Sequence, residues 1–200
     1  MVAVVAGPCK SIQAGVPWIF ETARELAKAT RGGGIKDAVF VAAWRWIEEE
    51  PLDALLEPPG RALPGMSAFQ AKDEPVYAGD FSSGKADIQR WCRVLGKLAS
   101  FLNFNAVASA CFLLERRVEH GARAELLGLI TEIKGVGRVR ARMLHDAGFA
   151  TVQAVAGADP LELHEKTLLP LEACGRIVKA ASGAIDAGMQ DDGGGMDDGE

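Results

Sequence analysis

The chain has 200 residues, 48% of them hydrophobic and 24% charged, with a formal net charge of −5. That length allows one domain or two small ones, and the hydrophobic share is enough for a packed core, which argues against a wholly disordered chain. Tyr occurs once, β-branched runs are few and Ala and Leu dominate, so the expected fold class is all-α.

The negative charge speaks at first against a nucleic-acid partner, but its distribution reverses that. Asp186, Asp191, Asp192, Asp197, Asp198 and Glu200 crowd into the last fifteen residues; without these six acids the body carries +1, and its cations concentrate between residues 134 and 142. Cys9, Cys92, Cys111 and Cys174 form no CxxC pair and have no His at ligand spacing. They read as buried thiols in a reducing intracellular compartment, the nucleus in a eukaryote and the cytoplasm otherwise. No metal and no cofactor is expected. The apolar start Met1-Val2-Ala3-Val4-Val5-Ala6 is too short to span a membrane and lacks the basic opening of a secretion signal.

Residues 1–16 are apolar and then loop-like. A helix fits Trp18 to Thr30, with Trp18, Ile19, Ala23, Leu26 and Ala27 on one side and Gly32-Gly33-Gly34 ending it. A second helix fits Ile35 to Glu50, buried through Val39, Phe40, Ala43, Trp44 and Ile47. Glu48, Glu49 and Glu50 would oppose its dipole, at a small cost. Trp46 lies off this stripe and reads as a partly buried packing residue, with base stacking as the alternative. Leu52 to Leu56 fits a short helix. From Glu57 to Lys85, Pro, Gly and Ser predict an exposed, irregular insertion.

Asp87 to Leu102 is the next helix, with Ile88, Trp91, Cys92, Leu95, Leu98 and Ala99 as its apolar face. Arg90, Arg93 and Lys97 form a row opposite, either a solvated face or a second phosphate-contacting surface. Asn105 to His120 follows, with Val107, Ala110, Cys111, Leu114 and Val118 inward, and Gly121 punctuates it.

The most informative stretch is Ile133 to Leu144. A helix from about Ala122 to Thr131 must stop at Gly135-Val136-Gly137, and another restarts at Arg138 and runs to Ala147, with Gly148 at its C-terminal cap. Ile133, Val136, Ala141 and Leu144 would hold the two helices together. The glycines would let a nucleic-acid backbone approach, and the amides opening the second helix would hold a phosphate without reading sequence. Lys134, Gly135, Val136, Gly137, Arg138, Arg140 and Arg142 are therefore the expected DNA contacts, joined by Arg90, Arg93 and Lys97. A Gly-containing helical turn with solvated arginines is the plainer reading. The pattern resembles the helix-hairpin-helix DNA-binding motif.

Beyond it, Thr151 to Ala156 and Asp159-Pro160 to Lys166 fit two short helices, the second opened by an Asp cap and a first-turn Pro. Leu168-Leu169-Pro170 then turns into Leu171 to Ala181. This second hairpin lacks glycines at its turn, so its expected role is to pair with the first. From Gly183 onward the chain is acidic and Gly-rich and is expected to be disordered. Its acids could fold back and compete with phosphate at Arg138 to Arg142, or simply aid solubility. No GxxxxGK[ST], GxSxG, HExxH or HxE…CxxC motif is present, and His120, His145 and His164 stand apart, so no catalytic chemistry is expected.

The order of segments resembles the C-terminal region of superfamily-two DNA-repair helicases, the group of archaeal HEL-type, HELQ and polymerase-theta helicases. Asp37 to Leu55, with Trp46-Ile47-Glu48-Glu49, resembles a helix and short helix of that region. Gly84 to Trp91 resembles the helix start that follows. Leu114 to Leu129 and Gly135 to Gly148 are the specific blocks, and the likeness runs over about residues 35–180 apart from 57–80. It implies the end of a helical bundle at residues 18–120 and a terminal helix-hairpin-helix domain at 121–182. A ratchet helix contacting single-stranded DNA is implied too, with Trp18 as a candidate for its base-stacking residue. His145 stands where the family prefers Tyr. The motor domains are missing from these residues, so ATPase and helicase activity do not carry over.

The expected organisation is thus a partial helical bundle over 1–120, a helix-hairpin-helix domain over 121–182 and an acidic tail over 183–200. The expected function is a nucleic-acid-binding accessory domain of such a helicase, gripping single-stranded or branched DNA. The alternative is a protein-interaction or structural module that docks on a separate motor or repair partner. RNA or ribosome association through the same turn is a third reading.

Overall fold

The Ala- and Leu-rich segments form helices throughout a computed structural model that describes residues 12–30, 37–56 and 75–191, with side chains described from 17 to 187. Among the described residues no strand occurs. In order they are α1 (Ile12–Thr30), α2 (Asp37–Ile47), α3 (Leu52–Leu56), α4 (Ala78–Phe101) and α5 (Asn105–His120). A 3-10 turn at Ala124–Leu126 precedes α6 (Leu127–Glu132), α7 (Arg138–Asp146), α8 (Val152–Ala156), α9 (Pro160–Thr167) and α10 (Leu171–Asp191). The chain divides into two compact units between Ala122 and Arg123.

In the first unit, α4 and α5 pack along each other, and α1 and α2 pack on them. Phe20, Phe40, Ile47, Leu55, Ile88 and Leu114 are fully buried there. Phe20 meets Trp44 edge-to-face with centroids 5.2 Å apart. Trp18 packs against the edge of this core.

Several boundaries differ from expectation. Helix α1 starts six residues before Trp18 and contains Pro17 in its second turn, where proline cannot donate an i→i−4 hydrogen bond. The Gly32-Gly33-Gly34 stop lies outside the described residues. Helix α2 ends at Ile47, and Glu49 turns the chain with φ 72°. The three glutamates therefore follow the helix instead of ending it. Glu50 accepts from Arg45 Nε at 2.6 Å, and Glu48 accepts from Arg117 Nη2 at 2.9 Å.

Helix α4 begins at Ala78, inside the stretch expected to be irregular, of which 57–74 lie outside the described residues. Gly79, Ser82, Ser83 and Gly84 are poor helix formers, but Phe81, Gly84, Asp87 and Ile88 bury one face and tertiary packing overrides propensity. Leu98, expected inward, is 53% exposed. Val107 is half-buried, while Ala108 and Arg117 are buried on α5 in addition to the expected positions.

The second unit closes on Leu126, Leu129, Ile133, Leu144, Val155, Leu163, Cys174 and Ala181. Helices α6 and α7 make the first hairpin and α9 and α10 the second; α7 packs on α9, and α10 on α8 and α9. Thr151 and Asp159 cap α8 and α9 by accepting from Ala154 and Leu161 amides. Leu168 holds the left-handed position of the second turn at φ 58° and is 84% exposed. The first-hairpin helix, expected from Ala122, becomes a 3-10 turn that passes into the short α6. At the other end α10 continues through Gly183 to Asp191, where a disordered tail was expected to begin. Ala181 is fully buried, and the Ser182 hydroxyl donates back to the Val178 carbonyl at 3.1 Å, so the helix persists. Residues 192–200 lie outside the described residues.

Candidate nucleic-acid interface

The first hairpin turn is built from its apolar frame outward. Ile133 and Val136 are buried beneath the turn, and Ala141 and Leu144 are buried on α7. The Val136 amide donates to the Ile133 carbonyl at 3.1 Å, which closes the turn. Val136 was expected to be a contact; its side chain is buried and its amide is already engaged. Gly135 has φ 87°, a conformation that L side chains resist, so the turn requires glycine there.

Gly137 is different. Its φ of −94° and ψ of 179° suit any residue, and a Cβ placed on it would meet nothing within 4 Å. Neither conformation nor packing asks for glycine. What glycine does at this position is leave open space at the start of α7. Gly137 is the N-cap residue, no side chain caps the helix, and the first intrahelical bond is Ala141 to Gly137. The Val139 and Arg140 amides thus have no intrahelical acceptor, and the partial positive charge of a helix N-terminus faces that opening.

The cations around the turn are not equivalent. Lys134 and Arg140 are exposed, and Arg140 Nη1 donates to the Gly135 carbonyl at 2.8 Å, which holds the guanidinium over the turn. Arg138 is half-buried. Arg142 bridges Glu125 at 3.0 Å and Asp146 at 3.2 Å, and its side chain is only 27% exposed. It ties α7 to the preceding 3-10 turn, so its charge is already matched.

The other expected row, Arg90, Arg93 and Lys97, lies on α4 in the first unit, and all three are exposed. Arg90 pairs with the buried Asp87 at 3.3 Å and lies 5.5 Å from the Trp91 ring. Arg93 donates to Glu115 at 2.7 Å. Two of the three are therefore committed to carboxylates within their own bundle.

Trp46, the candidate for stacking, is packed. Its Nε1 donates to the Val118 carbonyl at 2.9 Å, its ring meets Phe81 edge-to-face at 5.8 Å, and Lys85 lies 5.3 Å from its centroid. Two further cations, Arg176 and Lys179, are exposed on α10, and Arg176 lines a hollow with Lys134, Gly135 and Arg140.

No group of three or more His, Cys, Asp or Glu that could hold a metal occurs among the described residues. Burial pushes the Cys111 thiol up to about 11, and pushes Cys92 up further, with Cys111 and Glu115 adding to the effect. Thiols held protonated in this way are poor nucleophiles and poor ligands at neutral pH. No helix among the described residues is long and apolar enough to cross a membrane.

Two short hairpins packed on one another, the first with a glycine turn and an uncapped second helix, define a helix-hairpin-helix tandem, and residues 127–181 match the family of SAM-like helix-hairpin-helix tandems. The chain is also 31% identical over 167 residues to the ATP-dependent DNA helicase Hel308 of Pyrobaculum calidifontis, covering 77% of this chain and 23% of the relative. With Hel308 of Aeropyrum pernix it shares 34% identity over 177 residues, covering 72% of this chain and 24% of the relative. A shorter match to Hel308 of Methanocella arvoryzae reaches 56% identity over 43 residues, 22% of this chain and 6% of the relative. The chain is therefore similar to the C-terminal helix-hairpin-helix region of superfamily-two archaeal helicases, and it spans about a quarter of the length of the first two relatives.

Proposed function

We propose that this chain is a nucleic-acid-binding accessory region of a DNA helicase of the Hel308, HELQ and polymerase-theta group. In this reading the α6–α7 hairpin grips single-stranded or branched DNA by its phosphates. The site is intracellular, and the motor is supplied by other residues. The observation that carries the proposal is Gly137, a glycine that the fold does not require, set in open space at the uncapped start of α7. With no side chain there, a phosphate has a clear approach to those amides. Lys134 and Arg140 supply the surrounding charge, with Gly135 shaping the turn and Arg138 alongside. Arg142 acts by holding α7 in place. The relatives are named as ATP-dependent DNA helicases, which supports DNA as the ligand.

A second reading has one observation in its favour. Val94, Leu98 and Phe101 form an apolar stripe on α4, with Phe101 82% exposed, beside the row of Arg90, Arg93 and Lys97. A face of this kind suits docking on a motor or repair partner.

The test is fluorescence anisotropy of a labelled single strand with the wild-type chain and Gly137→Val. Backbone geometry at 137 accepts Val, so helicity by circular dichroism should persist, while affinity should fall at least tenfold. Unchanged affinity would remove DNA binding from this turn and favour the docking reading.

A further inference from the structure

Beside the hairpin turn the second unit has a hollow of about 290 Å³. One wall is Lys134, Gly135 and Arg140; the other is α10, which contributes Arg176, with Ala173, Ile177 and Ala180 as an apolar floor. The volume equals roughly ten water molecules at about 30 Å³ each. That is several times the room a lone phosphate group needs.

The three cations at the rim retain charge for a ligand. Arg140 spends one donor on the Gly135 carbonyl, and a guanidinium has five. Arg176 faces Glu172 at 3.8 Å, with side chains 74% and 91% exposed, a pair that contributes little. Lys134 is exposed.

We propose that this hollow seats one nucleotide of the bound strand. Its phosphate lies among Lys134, Arg140 and Arg176, and its sugar and base face lies on Ala173, Ile177 and Ala180. The proposal rests on the nucleic-acid reading above and deepens it: the second hairpin contributes to the grip through α10, and the strand is held by a nucleotide body as well as by phosphate. Contacts to a base face are tolerant of sequence, because every base has one.

The test compares a thymidine oligomer with an abasic oligomer of equal phosphate count, using the full chain, Ala180→Phe and Arg176→Ala. Ala180 is half-buried and lines the hollow, so Phe there puts a large side chain into it, on the α10 side away from the residues that open α7. The wild-type chain should bind the thymidine oligomer at least fivefold tighter than the abasic one. Ala180→Phe should bring the two affinities together by weakening only the thymidine complex. Arg176 is exposed, so Arg176→Ala keeps the fold; it should weaken both complexes and lower the salt slope by roughly 0.7. Equal wild-type affinity for both oligomers overturns the nucleotide seat while leaving phosphate gripping intact. A thymidine preference that survives Ala180→Phe, or an Arg176→Ala chain that binds both like wild type, also overturns it. A wild-type chain that binds neither oligomer overturns both proposals.

Discussion

At Gly121 the backbone is left-handed, with φ 63° and ψ 47°, and a Cβ there would lie 2.1 Å from Cε2 of Trp46. The indole is fixed there by its Nε1 donating to the Val118 carbonyl, two residues before α5 ends. Gly121 thus serves two needs, ending α5 and admitting the Trp46 ring. Gly121→Ala should destabilise the chain by about 2–4 kcal/mol, combining the left-handed penalty with overpacking. The check is the denaturation midpoint, and a shift worth less than about 1 kcal/mol would contradict this account. Gly121 was legible as punctuation, because a glycine after an amphipathic run is a local signal. Its partner was not, because Trp46 lies 75 positions away and off the stripe of its own helix. Arg117 was hidden for the same reason. It is buried, donating to the Ile47 and Ala122 carbonyls and to Glu48, and only the tertiary fold brings those acceptors together.

At the scale of elements, helices bounded by Gly, Pro or an Asp cap were readable: α3 after Pro51, α5 before Gly121, α7 between Gly137 and Gly148, and α9 at Asp159-Pro160 lie within a residue or so of their expected bounds. The two largest misses are the start of α4 and the end of α10. Both segments hold Gly and Ser, whose local preference is against helix; the start of α4 is helical because Phe81 and Gly84 bury one face, while the end of α10 runs on from the buried Ala181 as an exposed to half-buried helix end. The extension of α10 bears on the acidic tail. From Arg176 to Asp191 the helix rises about 22 Å, and the nine residues after Asp191 reach at most about 30 Å when fully extended. A return to Arg140 would need nearly all of that reach, so the tail acids compete poorly with phosphate. Truncation after Asp191 should leave affinity for a single strand at low salt within about twofold of the full chain. A tenfold gain that disappears as salt rises would reinstate the competing tail.

On the scale of the whole molecule, a net charge of −5 coexists with a basic, glycine-opened turn because the acids are gathered at the far end of the chain. Two units divide the work in this account: the first is held by a large apolar core, and the second presents the hairpin. The site was legible as a turn, since two glycines one residue apart and the surrounding cations are a sequence pattern. Which cations remain available was not, because Arg142 looks like Arg140 until Glu125 and Asp146 are placed beside it. The central claim is that the chain grips nucleic acid by its phosphates without reading sequence. The most direct measurement is the affinity for two unrelated single strands of equal length across a series of salt concentrations. The account predicts equal affinities within about threefold and parallel lines of log K against log salt. Their slope should be near −2, at roughly 0.7 for each of about three phosphates neutralised. A flat line, or a strong preference for one of the two strands, would contradict it.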